Sequence, residues 1–135
     1  MDWKLEVVVV PVSDIDRAKE FYAERVGFTV DLDHAISETM RIVQLTPPGS
    51  GCSITIGKGI VVMEPGSLKG LQLVVDDIEA ARAQLVERGV EVTPVRHFAD
   101  GEWKDGHGGR WNAFVFFSDP DGNAWAVQER PGKSD

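Results

Sequence analysis

The chain has 135 residues, of which 42% are hydrophobic and 27% charged, and a formal net charge of −8 at pH 7. This length predicts one domain with an ordinary core, and the composition is that of a globular protein. Scattered Lys and Arg in an acidic chain argue against nucleic-acid binding, which needs clustered basic residues. No apolar run approaches the roughly 20 residues of a membrane span. Neither nucleic acid nor membrane is therefore expected as a partner.

The single cysteine and the N-terminal residues bear on location. Cys52 has no second cysteine to pair with, so an internal disulfide framework is excluded. The first residues, Met1-Asp2-Trp3-Lys4, do not lead into the apolar segment of a signal peptide. We therefore expect a cytoplasmic location.

The first half of the chain predicts a strand, a helix and three more strands. Leu5 to Val10 is a β-branched run typical of a buried strand. Ser13 is the predicted helix N-cap, with Asp16 completing a capping box, and Gly27 is the predicted left-handed C-cap. The later strands are predicted at residues 28–33, 40–46 and 53–56, with residues 60–63 as an extension.

The second half repeats this order at a fixed spacing. Asp14-Ile15 recurs as Asp77-Ile78, an offset of 63 residues, and Ala18, Glu24 and Arg25 recur at the same offset. Such a period over a helix and its cap indicates duplication. The strands of this half are predicted at residues 71–75, 90–95, 112–118 and 124–129. The glycine-rich residues 99–110 are predicted to form either a lid or a long hairpin loop.

A tight turn closes the chain. Asp119-Pro120-Asp121-Gly122-Asn123 separates two apolar runs, which predicts a β-hairpin. Turn formation accounts for Asp119 and Asp121 better than an acid–base pair does. Trp125, in the strand after the turn, is expected in the core.

This pattern resembles the vicinal oxygen chelate superfamily of glyoxalases, bleomycin resistance proteins and extradiol dioxygenases. The resemblance covers nearly the whole chain and rests on the helix start at residues 13–22, on residues 73–78 and on the closing turn. It implies an α+β fold of two tandem βαβββ modules, whose curved mixed sheets surround a cleft, often in a homodimer. We expect one domain over 1–135, with modules at about 3–62 and 70–130 and a linker at about 57–70.

Metalloenzymes of that superfamily hold a divalent ion with His, Glu or Gln from four strands. The corresponding positions here are Val7, Gly70 and Ala126, with the fourth within residues 53–56, where there is no His or carboxylate. Divalent metals need N, O or S donors, which Val, Gly and Ala side chains lack. We therefore expect no metal and no other cofactor. A divalent metal held by displaced ligands, with Gln72 or Gln128 as candidates, is the alternative.

The cleft is expected to be apolar with a few polar groups, as is usual for a small-molecule site. Strand alternation and the glycine-rich loop supply its candidate ligand-binding residues. Tryptophan faces there are suited to stacking on a planar ligand. These candidates are Val7, Val9, Gln72, Val74, Trp103, Trp111, Ala126 and Gln128.

The three histidines, His34, His97 and His107, fall on none of the metal positions. His97 follows a predicted strand beside the glycine-rich loop and is the candidate general base, since a neutral His suits that role near pH 7. A structural role is favoured over a catalytic one.

Two classes of function follow. The first is a non-catalytic protein that sequesters a hydrophobic or aromatic compound, as in drug or metabolite resistance. The second is a lyase, isomerase or dioxygenase that uses displaced metal ligands or metal-free acid–base chemistry. The apolar metal positions favour the first.

Overall fold

The computed structural model describes residues 1–60 and 62–132, which fall into two compact units. Unit 1 comprises Met1–Leu68 and Asp119–Asn123, and unit 2 comprises Lys69–Ser118 and the segment from Ala124 onward. No helix in the described parts of the chain is long and apolar enough to cross a membrane.

Unit 1 is a four-stranded mixed sheet with one helix. Its strands are β1 (Val7–Val9), β2 (Thr29–Ser37), β3 (Met40–Thr46) and β4 (Ser53–Lys58), in the order β1-β4-β3-β2. Only the β1–β4 pair is parallel. The helix α1 (Ile15–Glu20) continues into a π-helical turn (Phe21–Val26). The buried core includes Ala18, Phe21, Tyr22, Val43, Leu45, Ile54 and Ile56.

Unit 2 is a five-stranded mixed sheet with one helix, α2 (Ile78–Glu87). Its strands are β5 (Leu71–Val75), β6 (Arg96–Ala99), β7 (Glu102–Asp105), β8 (Phe114–Ser118) and β9 (Ala124–Glu129), in the order β5-β9-β8-β6-β7. The core includes Ile78, Leu85, Val115, Phe117, Trp125 and Val127. Trp125 is 4% exposed, which confirms the prediction that it lies in the core.

The two helices begin in the same way. Asp14 and Asp77 are extended N-caps, and the carboxylate of each accepts the backbone N–H three residues later at 3.1 Å. The predicted duplication is therefore visible in the cap geometry. The prediction of Ser13 as the cap is wrong, because its backbone N–H and hydroxyl both donate to Asp121. Gly27 is the left-handed C-cap, as predicted, with φ 95°.

The α+β fold of two modules is confirmed, and the second module departs from the prediction in detail. The predicted strand at residues 90–95 is absent, because Pro94 lacks an N–H for pairing. Instead, residues 96–105 form the β6–β7 hairpin, which turns at Asp100 and Gly101 with φ of 54° and 78°. This hairpin gives the second sheet its fifth strand.

Two other predictions concern segments near the strand ends of unit 1. The predicted extension at residues 60–63 does not form a strand at Ile60, Val62 or Met63, and Val61 lies outside the described residues. The second strand is longer than predicted and runs to Ser37.

The closing turn packs into unit 1 as a buried polar hub. Asp119 accepts from the Tyr22 hydroxyl at 2.7 Å and from the Asn123 side chain at 2.7 Å. Asn123 is fully buried; it also donates to the Pro11 carbonyl at 2.8 Å and accepts from the Leu68 N–H at 3.1 Å. The turn residues are structural, as the sequence indicates for Asp119.

Candidate functional site

The sheet of unit 2 has one buried face and one accessible face. Along β8 and β9, Val115, Phe117, Trp125 and Val127 are buried, and the residues between them are only half-buried. Because side chains alternate along a strand, these half-buried residues share the opposite face. The accessible face is therefore defined by Phe114, Phe116, Ala124, Ala126 and Gln128, with Gln72 and Val74 from β5.

An aromatic cluster occupies one side of this face. The Trp103 ring makes edge-to-face contacts with Phe98, Phe114 and Phe116 at centroid distances of 5.3, 5.2 and 5.1 Å. Phe98 and Trp103 are directly paired across the β6–β7 hairpin and remain 48% and 46% exposed. We call Phe98, Trp103, Phe114 and Phe116 the aromatic patch.

Small and amide side chains lie beside the aromatic patch. Strand pairing forms a row from Gln72 through Ala126 to Phe116, and a second row from Val74 through Gln128 to Phe114. The small Ala126 side chain thus lies between an amide and an aromatic ring. This arrangement of apolar area with a few polar groups is typical of a small-molecule site.

Two glutamine amides join this face to the glycine-rich loop. Gln72 Nε2 donates to Gln128 Oε1 at 2.7 Å, and Gln128 Nε2 donates to the Trp111 carbonyl at 2.8 Å. Trp111 has φ 61°, a left-handed conformation that costs a bulky residue about 1–2 kcal/mol. The Gln128 bond helps to hold this strained residue, and strain of this kind clusters at functional sites.

The glycine-rich segment is fastened to the hairpin by Asn112. Its side chain accepts from the Phe98 N–H and donates to the Phe98 carbonyl, both at 2.9 Å, in the manner of a strand partner. Trp111, 50% exposed, and Asn112 line a cavity of about 380 Å³ with His107, Gly109, Arg110 and Glu129. This cavity shares no lining residue with the aromatic patch.

Six of the eight residues predicted to bind a ligand belong to unit 2. Gln72, Val74, Ala126 and Gln128 share one face, Trp103 adjoins them, and Trp111 lies at its loop edge. Val7 and Val9 belong to unit 1, where they pair with Ser53 and Thr55. The ligand-binding role of all eight stays a prediction.

The residues at the superfamily's metal positions do not fit a divalent ion. Val7 and Ala126 have no donor atoms, and Gly70 precedes β5 with φ 86°. Among residues 1–60 and 62–132, no three His, Cys, Asp or Glu side chains are grouped so that they could hold a metal. Gln72 and Gln128, the alternative candidates, are hydrogen-bonded to each other.

None of the three histidines is a member of the aromatic patch. His97 alternates with Arg96 and Phe98 on β6, so it points to the other face. Its Nδ1 donates to the Gly106 carbonyl at 2.8 Å, since a carbonyl only accepts. His107 Nε2 lies 3.0 Å from Glu79 Oε1, and His34 pairs with Ile42 across β2 and β3.

Sequence reasoning missed three rings of the patch, Phe98, Phe114 and Phe116, and the fastening residue Asn112. One signal was available. Phe98 and Trp103 are placed symmetrically about Asp100-Gly101, a hairpin dipeptide, which predicts a cross-strand aromatic pair.

Comparisons with known proteins agree with this architecture. A family model described as the Glyoxalase/Bleomycin resistance protein/Dioxygenase superfamily matches residues 4–127. The Bacillus subtilis (strain 168) protein YetH is 26% identical over 127 residues, covering 93% of this chain and 98% of that protein.

Two solved structures from Streptomyces sp. CB03234 are also similar. One is TnmS3, an antibiotic binding protein, with 36% identity, coverage of 96% of this chain and 97% of that chain, and a TM-score of 0.76. The other is a glyoxalase/bleomycin resistance protein with 37% identity, coverage of 93% and 99%, and a TM-score of 0.72.

Proposed function

Because the chain belongs to the glyoxalase/bleomycin resistance protein/dioxygenase superfamily, we propose that it binds and sequesters a planar aromatic small molecule on the aromatic patch of unit 2. The observation that carries this proposal is the edge-to-face cluster of Trp103 with three phenylalanines on an accessible sheet face.

The patch has the chemistry that such a ligand needs. Half-exposed aromatic rings on a sheet leave apolar surface in water, and covering it is favourable by about 25 cal/mol per Å². Aromatic pairs add roughly 0.5–1.5 kcal/mol beyond area burial. A flat ring system therefore gains more at this face than a polar compound of the same size.

Similarity to an antibiotic binding protein supports a resistance type of function. Sequestration needs only tight, reversible burial of the compound and no bond-making residue. The apolar metal positions also favour sequestration over a metal-dependent reaction. The enzyme alternative uses displaced metal ligands or metal-free acid–base chemistry, and its candidate base, His97, points away from the patch.

Titration with 7-methoxyflavone, a planar aromatic probe, followed by tryptophan fluorescence and calorimetry, tests the proposal. Trp103→Ala is expected to weaken binding about tenfold, because it removes the ring that contacts the other three. Trp111→Ala is expected to have a smaller effect. Trp3→Ala is the matched control, since Trp3 is 87% exposed in unit 1.

Two results would contradict this function. One is an unchanged probe affinity in both the Trp103 and Trp111 variants. The other is one stoichiometric Fe, Mn, Ni or Zn per chain, lost together with an activity, in protein purified without chelator. Circular dichroism of each variant separates lost binding from lost folding.

A homodimer and a cytoplasmic location accompany the proposal. The superfamily resemblance supports the dimer, and sedimentation equilibrium with and without the probe measures it. If the protein binds the probe as a monomer, the proposed sequestration stands and the proposed homodimer is rejected.

A further inference from the structure

The two glutamine amides on the accessible face form a chain with a fixed direction. A backbone carbonyl only accepts, so Gln128 must turn its Nε2 toward the Trp111 carbonyl. Its Oε1 therefore faces Gln72 and accepts from Gln72 Nε2 at 2.7 Å. Gln72 in turn must aim its amide nitrogen at Gln128, which leaves its Oε1 at the outer end of the chain.

From this polarity we propose that Gln72 is a specificity residue whose Oε1 accepts a hydrogen bond from a hydroxyl or N–H on the edge of the bound aromatic compound. The inference rests on the proposed function and names its ligand class: planar aromatics that carry a hydrogen-bond donor, such as phenols. Gln128 is the positioning residue that fixes the orientation of the Gln72 amide.

The strand register places Gln72 where it can form a hydrogen bond with a group on the edge of a bound ring. Gln72, Ala126 and Phe116 occupy one row across β5, β9 and β8. Adjacent strands are about 4.8 Å apart, so Gln72 and Phe116 are separated by about 10 Å. A fused ring system that lies over the Ala126 methyl can pack one edge against Phe116 and Trp103. Its other edge then reaches Gln72.

Exposure of the two amides differs in the way this assignment requires. Gln128 is half-buried between Val74 and Phe114, whereas Gln72 is exposed. Gln128, which is anchored to the Trp111 carbonyl, is thus the less exposed of the two amides. Gln72, which is proposed to contact the ligand, is the more exposed. Both amides together make the accessible face selective as well as apolar.

A matched pair of probes tests the inference. Calorimetric affinities of 7-hydroxyflavone and 7-methoxyflavone are compared at mildly acidic pH, where the hydroxyl keeps its proton. A neutral hydrogen bond predicts that the wild-type protein prefers the hydroxyl compound about 2- to 10-fold. Gln72→Leu is expected to abolish the preference, so that this variant binds the two flavones equally tightly.

The ratio of the 7-hydroxyflavone and 7-methoxyflavone affinities also tests the positioning role of Gln128. Gln128→Leu frees the Gln72 amide to rotate, so the preference is expected to shrink while 7-methoxyflavone still binds. Gln84→Leu on α2 makes the same substitution away from this face and is expected to keep the full preference.

The outcomes separate this inference from the function on which it rests. Equal wild-type affinities for the two flavones, or a preference that survives in Gln72→Leu, overturn the inference alone. If neither flavone binds the wild-type protein, the proposed function fails and the inference fails with it.

Discussion

The sheets of the two units share a register and differ in what they display. In unit 1, Val9, Thr55 and Gln44 form a row across three neighbouring strands. The counterpart row in unit 2, reached from Val9 by the 63-residue offset, is Gln72, Ala126 and Phe116. The same backbone positions thus carry an aliphatic, a hydroxyl and an amide in one unit, and an amide, a methyl and an aromatic ring in the other.

This difference is the reason for placing the proposed site on unit 2. In unit 1, polar side chains near this row pair with one another: the Thr46 hydroxyl donates to Asp31 and lies 2.6 Å from the Ser53 hydroxyl. In unit 2 the rings of Phe98 and Trp103 are half-exposed, and Gln72 is exposed at the outer end of the amide chain. Duplication fixed the scaffold, and side-chain divergence gave one copy a candidate site.

The turns that join the last two strands of each module provide the largest expected difference. Asn123→Ala is expected to lower the free energy of unfolding by about 2–4 kcal/mol, because Leu68 N–H, the Pro11 carbonyl and Asp119 each lose a buried partner. Urea denaturation measures the loss.

The counterpart turn in unit 1 supplies the control. Ser50 is exposed and its hydroxyl bonds to Cys52 in its own turn, so Ser50→Ala is expected to cost about 1 kcal/mol or less. Equal losses in the two variants would show that the closing turn is an ordinary loop.

Enlarging the side chain at Ala126 tests whether the two faces differ in function. Ala126→Leu adds three carbon atoms between Gln72 and Phe116, and we expect 7-methoxyflavone to bind about tenfold more weakly. Thr55→Val changes the counterpart position in unit 1 at nearly constant volume, and the affinity should not change. Weakened binding in the Thr55 variant alone would assign the ligand to unit 1.

The smallest expected effect concerns how each helix is held to its sheet. In unit 1, hydrogen bonds from Arg41 and then Lys19 hold the pKa of Asp33 well below its usual range. A depressed carboxyl pKa stabilises the fold above the unfolded-state value of about 3.9, and this stability is lost as pH falls below it. Asp33→Asn should flatten the loss of stability below about pH 4.

For such surface pairs, we expect an effect of about 1 kcal/mol or less at neutral pH. In unit 2, Arg82 occupies the position of Lys19 and donates to the Thr93 carbonyl, which does not titrate. Arg82→Gln should therefore leave the pH dependence of the free energy of unfolding at acid pH unchanged. A smaller loss of stability at acid pH in the Arg82 variant would contradict the proposed difference between the two helices.

Local chemistry explains which parts of the fold were predictable. The Asp77 cap, Gly27 and the closing turn depend on neighbouring residues, so the sequence predicts them closely. The exchange of Ser13 for Asp14 as N-cap was not predictable, because Asp121, 108 residues away, binds the Ser13 hydroxyl. The β-branched residues at 90–95 favoured a strand there. Pro94 argued locally against that strand, and the prediction gave it too little weight.

By itself, the sequence determined the repeated strand–helix order and the four strand residues of the second sheet that share a face, since these follow from period and spacing. The two-module fold and the apolar metal positions followed from its resemblance to the superfamily. Only the tertiary structure decided that Phe98, Trp103, Phe114 and Phe116 converge. It also decided that Gln72 and Gln128 join in a chain to Trp111. Such contacts join strands that are distant in the chain, and their register depends on the packing of the whole sheet.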